Sequence, residues 1–131
     1  MSTTAHPHEE ILKEIREEFT EILGQTTQGV YFYLDDPHWT CNERLASMLG
    51  FASAAELLKA AGASSLLDAL VAPDSRDEVV STYMNTVQNK VAASRSITWK
   101  TKSSGTLKTN VIFVPISYHG NLLTLHFVTP V

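Results

Sequence analysis

Cysteine is nearly absent from this chain. Cys41 stands alone among 131 residues, so no internal disulfide and no cysteine-built zinc site can form. Cations are also scarce, with ten Lys and Arg against fourteen Asp and Glu, a formal charge of -4 and a pI near 5.7. A nucleic-acid binder needs clustered cations to displace counterions from phosphates, and that shortage excludes DNA and RNA as partners. No apolar run approaches the length of a membrane span, and Met1 to His8 lack the basic and apolar regions of a secretory signal, so the expected location is the cytoplasm, off the membrane. Catalytic signatures are missing too. There is no Gly-x-Ser-x-Gly elbow and no glycine-rich phosphate loop, and His6, His8, His38, His119 and His126 form no pair at the i, i+4 spacing of a helical metal site. We therefore expect neither an enzyme nor a metal protein.

What is present is enough apolar material, 44% of residues, for one core in one domain. Residues 1–7 read as a disordered leader. Residues 8–24 read as an amphipathic helix, with Leu12, Ile15, Phe19 and Ile22 on one seam, glutamates on the remaining surface and Gly24 as a stop. A helix this short is marginal alone in water, so its seam must pack on its own domain or on a second copy. Tyr31, Phe32 and Tyr33 between Gly29 and Asp35-Asp36-Pro37 make a strand, and a tight turn leads to a second around Trp39-Thr40-Cys41. Asn42 suits a helix N-cap, followed by Leu45, Met48 and Leu49 on one face and Gly50 as a stop. Ser53 to Glu56 has the capping-box pattern. Leu66 to Val71 gives a further apolar turn, and Pro73-Asp74 introduces a longer helix, about residues 75–91, with Val79, Val80, Tyr83, Met84 and Val87 in a broad stripe. The last third changes period to a three-stranded antiparallel meander, turning at Ser103-Ser104-Gly105 and His119-Gly120-Asn121. Its later strands are apolar on both parities, which predicts cover on both faces of the sheet.

The order strand, strand, three short helices, a longer helix and three antiparallel strands resembles the PAS family over about residues 28–129. Local signatures agree with it: Cys41-Asn42-Glu43 through Leu49-Gly50-Phe51, Val71-Ala72-Pro73-Asp74-Ser75-Arg76, and Lys102-Ser103-Ser104-Gly105 with Pro115 and Gly120. The resemblance implies an α+β fold, a five-stranded antiparallel sheet with interior helices on one face, together with the N-terminal amphipathic helix. It also implies a pocket between sheet and helices, with walls from Met48, Leu67, Tyr83, Val87, Trp99 and Phe113. The identity of any cofactor stays open. Haem-binding members use a histidine on the long helix, and residues 75–91 contain none; flavin photosensors carry Asn-Cys-Arg-Phe-Leu-Gln, which is missing here. Both haem and covalently linked flavin are therefore disfavoured. The family's Asp-Ile-Thr after the last strand is replaced by Val128-Thr129-Pro130-Val131. The implied function is a small cytoplasmic sensor or interaction module in signal transduction. It would form a homodimer through Leu12, Ile15, Phe19 and Ile22, answer to a signalling partner, and hold a small apolar ligand. The alternative is an enzyme or carrier of the NTF2/ketosteroid-isomerase type, which wants its helices ahead of most of the sheet and a carboxylate in its cavity.

Overall fold

Strands that are apolar on both parities need cover on both sides, and the fold supplies it. The computed structural model describes residues 7–35, 38–62, 65–118 and 120–131. The elements run α1 (Pro7–Gln25), β1 (Gly29–Asp35), β2 (His38–Cys41), α2 (Glu43–Met48), α3 (Ala54–Ala61), α4 (Leu66–Leu70), α5 (Pro73–Asn89), β3 (Ala93–Lys100), β4 (Thr106–Tyr118) and β5 (Asn121–Pro130). The five strands form one antiparallel sheet in the order β2-β1-β5-β4-β3. Residues 1–6 of the expected leader lie outside the described residues, as do Asp36 and Pro37 of the first turn and His119 of the last.

The inner face carries the main core. Leu45 and Ala46 of α2 with Leu49 just after it, Leu57 and Ala61 of α3, and Leu66 and Leu70 of α4 pack on Tyr31, Ile97, Trp99, Val111, Phe113 and Val128 of the sheet. The outer face carries a second cluster, in which Ile11, Leu12 and Ile15 of α1 lie on Val30, Phe32, Leu34 and Leu123. Each such side chain contributes roughly 1.5–3 kcal/mol by leaving water, which stabilises a helix that would be marginal alone. Phe19 extends the contact by stacking on Phe32, with ring centroids 5.8 Å apart, and Tyr118 donates a 2.6 Å hydrogen bond to Glu18.

Asn42 joins the two halves of the N-terminal motif. Its Oδ1 accepts from Val30 N and from Leu45 N, each at 3.0 Å, while its Nδ2 donates to the Gln28 carbonyl at 3.0 Å. One buried side chain thus caps α2 and anchors the start of β1. Gly29 beside it leaves little room for a side chain, since a Cβ there would lie 3.1 Å from Leu45 Cδ1 and 3.1 Å from Met48 Cε. Glu56 of the capping box reaches one residue further back than the pattern implies, accepting from Ala52 N at 2.8 Å, while Ser53 accepts from Glu56 N at 3.1 Å.

The α5 stripe is rotated from the sequence expectation. Val80 and Met84 are exposed, and the helix instead buries Ser75, Thr82 and Thr86. Small side chains let the helix lie close to the sheet, and Ser75 Oγ accepts from Thr98 N at 2.9 Å; just before the helix, Ala72 N donates to Thr98 O at 2.9 Å.

Candidate ligand pocket

Strand alternation sends Tyr31 and Tyr33 of β1, and Thr124 and His126 of β5, toward the helices, while α4 and α5 stand opposite. A cavity of about 200 Å³ lies between them. Its described lining is Tyr31, Tyr33, Ser65, Leu66, Leu67, Val79, Val80, Tyr83 and His126. Tyr33 meets Tyr83 edge-on at 5.4 Å, joining β1 to α5 across one wall. Exposed Val80 forms part of the rim.

His126 is the chemically distinctive member of this set. Tyr31, His126 and Phe113 are direct cross-strand neighbours, and the imidazole stacks on Tyr31 at 4.1 Å while meeting Phe113 edge-on at 4.8 Å. Only 2% of the residue is exposed. Nε2 lies 2.7 Å from Thr124 Oγ1, and Nδ1 is buried with no hydrogen-bond partner among the described residues. Burial disfavours the charged imidazolium and pushes its pKa down to about 3, so the ring is neutral at pH 7. Burial, reinforced by nearby Tyr33, pushes the Tyr31 phenol well above its ordinary range. The described lining therefore carries no formal charge at neutral pH.

Two of the six expected wall residues, Leu67 and Tyr83, line this cavity. The other four stand elsewhere. Trp99 and Phe113 are fully buried in the core beside the cavity lining; Trp99 meets Tyr31 edge-on at 5.7 Å and donates from Nε1 to Thr109 Oγ1 at 2.9 Å. Tyr31 and His126 are their neighbours on the same face of the sheet, with His126 paired between Tyr31 and Phe113. Met48 packs over Gly29, and Val87 is half-buried one turn beyond Tyr83. Of the expected dimer seam, Leu12 and Ile15 are buried against the chain's own sheet, Phe19 is half-buried, and the Ile22 side chain lies outside the described residues. Sequence reasoning missed Ser65, Leu66, Val79 and Val80 on the helical side and Tyr31, Tyr33 and His126 on the sheet as wall residues. The signal for the three on the sheet was parity: the two tyrosines share one face of β1, and His126 stands between Leu125 and Phe127 in β5.

Cys41 is buried, and burial raises its thiol pKa to about 12, which makes it an inert core group. No helix among the described residues is long and apolar enough to cross a membrane.

No protein-family model matches the sequence, and no curated protein matches it. Structural comparison is informative. The chain is similar to a PAS domain from a two-component sensor histidine kinase, with a TM-score of 0.65 at 11% identity over 91% of this chain and 99% of that one. It is also similar to the PAS domain of an HTR-like protein from Haloarcula marismortui, with a TM-score of 0.63 at 12% identity over 95% and 98% of the two chains. A third similar structure is the PAS domain of nitrogen regulation protein NR(II) from Vibrio parahaemolyticus, with a TM-score of 0.63 at 14% identity over 86% and 96%. The strand order, the run of interior helices and the near-complete coverage of these domains agree: the chain has the PAS fold.

Proposed function

We propose that this chain is a cytoplasmic sensor or interaction module in signal transduction, acting by binding rather than catalysis, and that a small neutral molecule occupies the cavity between β1, β5, α4 and α5. The observation that carries this reading is an uncharged aromatic cavity beneath exposed Val80. Its setting supports a sensory role, since similar folds come from a sensor histidine kinase and a nitrogen regulation protein. At about 200 Å³ the cavity falls below the 300–1,000 Å³ of drug-sized sites, yet exceeds the roughly 150 Å³ that takes benzene. One substituted ring fits; haem or a flavin does not. The NTF2-like alternative loses its ground, because two strands precede the interior helices and no carboxylate is among the described lining residues.

The module works as a homodimer in this reading. Leu12 and Ile15 are occupied within the protomer, so the contact moves to the strip beside α1, where Ile112 of β4 is exposed next to half-buried Val114, Leu125 and Phe127. A second copy is the occupant with the matching apolar strip. Ligand occupancy changes output through its different affinity for two arrangements of sheet and α1.

Ligand-observed NMR against a set of neutral single-ring compounds tests the pocket. Binders should appear with the wild type and weaken with Tyr83→Trp, whose larger ring takes up part of the cavity. Absence of any binder, or binders indifferent to Tyr83→Trp, would overturn the reading.

A further inference from the structure

We propose that the exposed flank of α5 is a docking surface for one antiparallel helix of a partner protein, apolar along its contact face and cationic at its C-terminal end. This gives the module a partner surface, and it stands whether or not a small molecule fills the cavity.

The helix turns small polar residues inward and apolar ones outward. Ser75, Thr82 and Thr86 are buried, whereas Val80 is 46% exposed and Met84 47%. Val87 is half-buried, so residues 80, 84 and 87 follow one another at spacings of four and three. That is the spacing of an a/d seam, and it sets all three on one stripe of a rigid helix. Half-buried Val79 and Tyr83 widen the stripe, and exposed Val91 prolongs it just past Lys90. Val80, Met84 and Val91 make up half of the exposed large apolar side chains among the described residues. Gathered on one line, they form a patch, whereas scattered single residues would carry no meaning. A straight seam of this spacing is matched by another helix with the same spacing. An extended peptide, with side chains at period two, would not follow it.

The charge on α5 sets the direction of the partner helix. Exposed Asp74 and Asp77 stand at the N-terminal end, and neither has an ion-pair partner among the described residues. Their neighbours are taken: Arg76 lies 3.9 Å from Asp68, and Glu78 lies 3.0 Å from Arg95. Asp77 is one turn before Val80, beside the seam. Toward the other end the exposed side chains are Asn85, Gln88 and Asn89, with Lys90 closing the helix. An antiparallel partner brings its C-terminal turn to Asp77, and lysines there suit both that carboxylate and the negative end of the partner's own helix dipole. Because Val80 also lines the cavity, the docked helix lies across the cavity rim.

Three synthetic amphipathic peptides test this by titration of the full chain at low salt. One carries leucines at the four-three spacing and lysines in its last turn, one has glutamates for those lysines, and one has serines for the leucines. The lysine peptide should bind about tenfold more tightly than the glutamate peptide, and the serine peptide should not bind. Met84→Lys, at a position nearly half open to solvent, should abolish binding with the fold intact, and Asp77→Lys should reverse the charge preference. Amide ¹⁵N spectra should place the largest shifts at residues 77–91. Equal binding of the lysine and glutamate peptides, binding indifferent to Met84→Lys, shifts centred on Ile112, or no binding by any of the three would overturn the proposal. A fall in the mass of the chain alone on Met84→Lys, read by light scattering, would assign the seam to a second copy and overturn it as well.

Discussion

Acidification should destabilise this protein well before its carboxylates titrate, through His126. The folded pKa of about 3 lies below the roughly 6.5 of an unfolded-chain histidine. Between those values the unfolded state binds the proton and the folded state does not, so stability is full above about pH 7 and falls as pH drops through the window. Integrated from pH 7 to pH 5, the loss is about 2 kcal/mol, close to the limiting 1.4 kcal/mol per unit once the unfolded chain is mostly protonated. The groups packed around the ring do not confuse the result: Tyr31 and Tyr33 on β1 and Tyr83 on α5 are phenols, and Phe113 on β4 does not titrate. Urea unfolding at pH 7, 6 and 5 should show the midpoint falling by about 1 M across the range. His126→Phe keeps the ring against Tyr31 and Phe113 and removes the titration, so its midpoint should be nearly flat. Parallel pH dependence in the two proteins, or a flat wild type, would refute the assignment of a buried neutral imidazole.

Asn42→Ala should lower stability by about 2–4 kcal/mol, because it removes the α2 cap and leaves both Val30 N and the Gln28 carbonyl without their side-chain partner; chemical denaturation of the purified variant measures it. Ile112→Asp should shift the mass seen by light scattering from dimer to monomer, with little loss of stability because the residue is 41% exposed. A variant that remains dimeric places the contact elsewhere.

Periodicity, together with cap and turn residues, made most of the fold legible. The α1 seam, the aromatic β1, the Asn42 cap and the two-parity C-terminal strands all correspond to observed elements, and the demand for cover on both faces is met by α1 on one side and α2 to α5 on the other. The orientation of α5 was not legible. A hydrophobic pattern ranks Val80 and Met84 above Thr82 and Thr86, whereas the sheet receives the threonines because small side chains permit close approach and Ser75 offers a hydrogen bond to β3. The pocket was legible only where it lay on helices, at Leu67 and Tyr83. Which residues of a sheet face line a cavity depends on cross-strand register: Tyr31 and His126, paired although 95 positions apart, reach the cavity, while Trp99 and Phe113 on the same face do not.

The strand order also has a kinetic consequence. β2-β1 and β3-β4 are each local hairpins, but the strand between them, β5, is the last in the chain, and its pairing of Val128 with Gly29 closes a loop of nearly the whole domain. β5 also pairs with β4 as a local hairpin, so the long closure falls on β1 with β5; bringing together about 100 residues costs roughly 4 kcal/mol of chain entropy, which makes that pairing the slow step expected of folding. During synthesis the two hairpins wait with β1 and β4 unpaired on the sides that β5 will occupy. Such open edges invite pairing with other chains, and the interval before β5 arrives is when this protein is most exposed to aggregation.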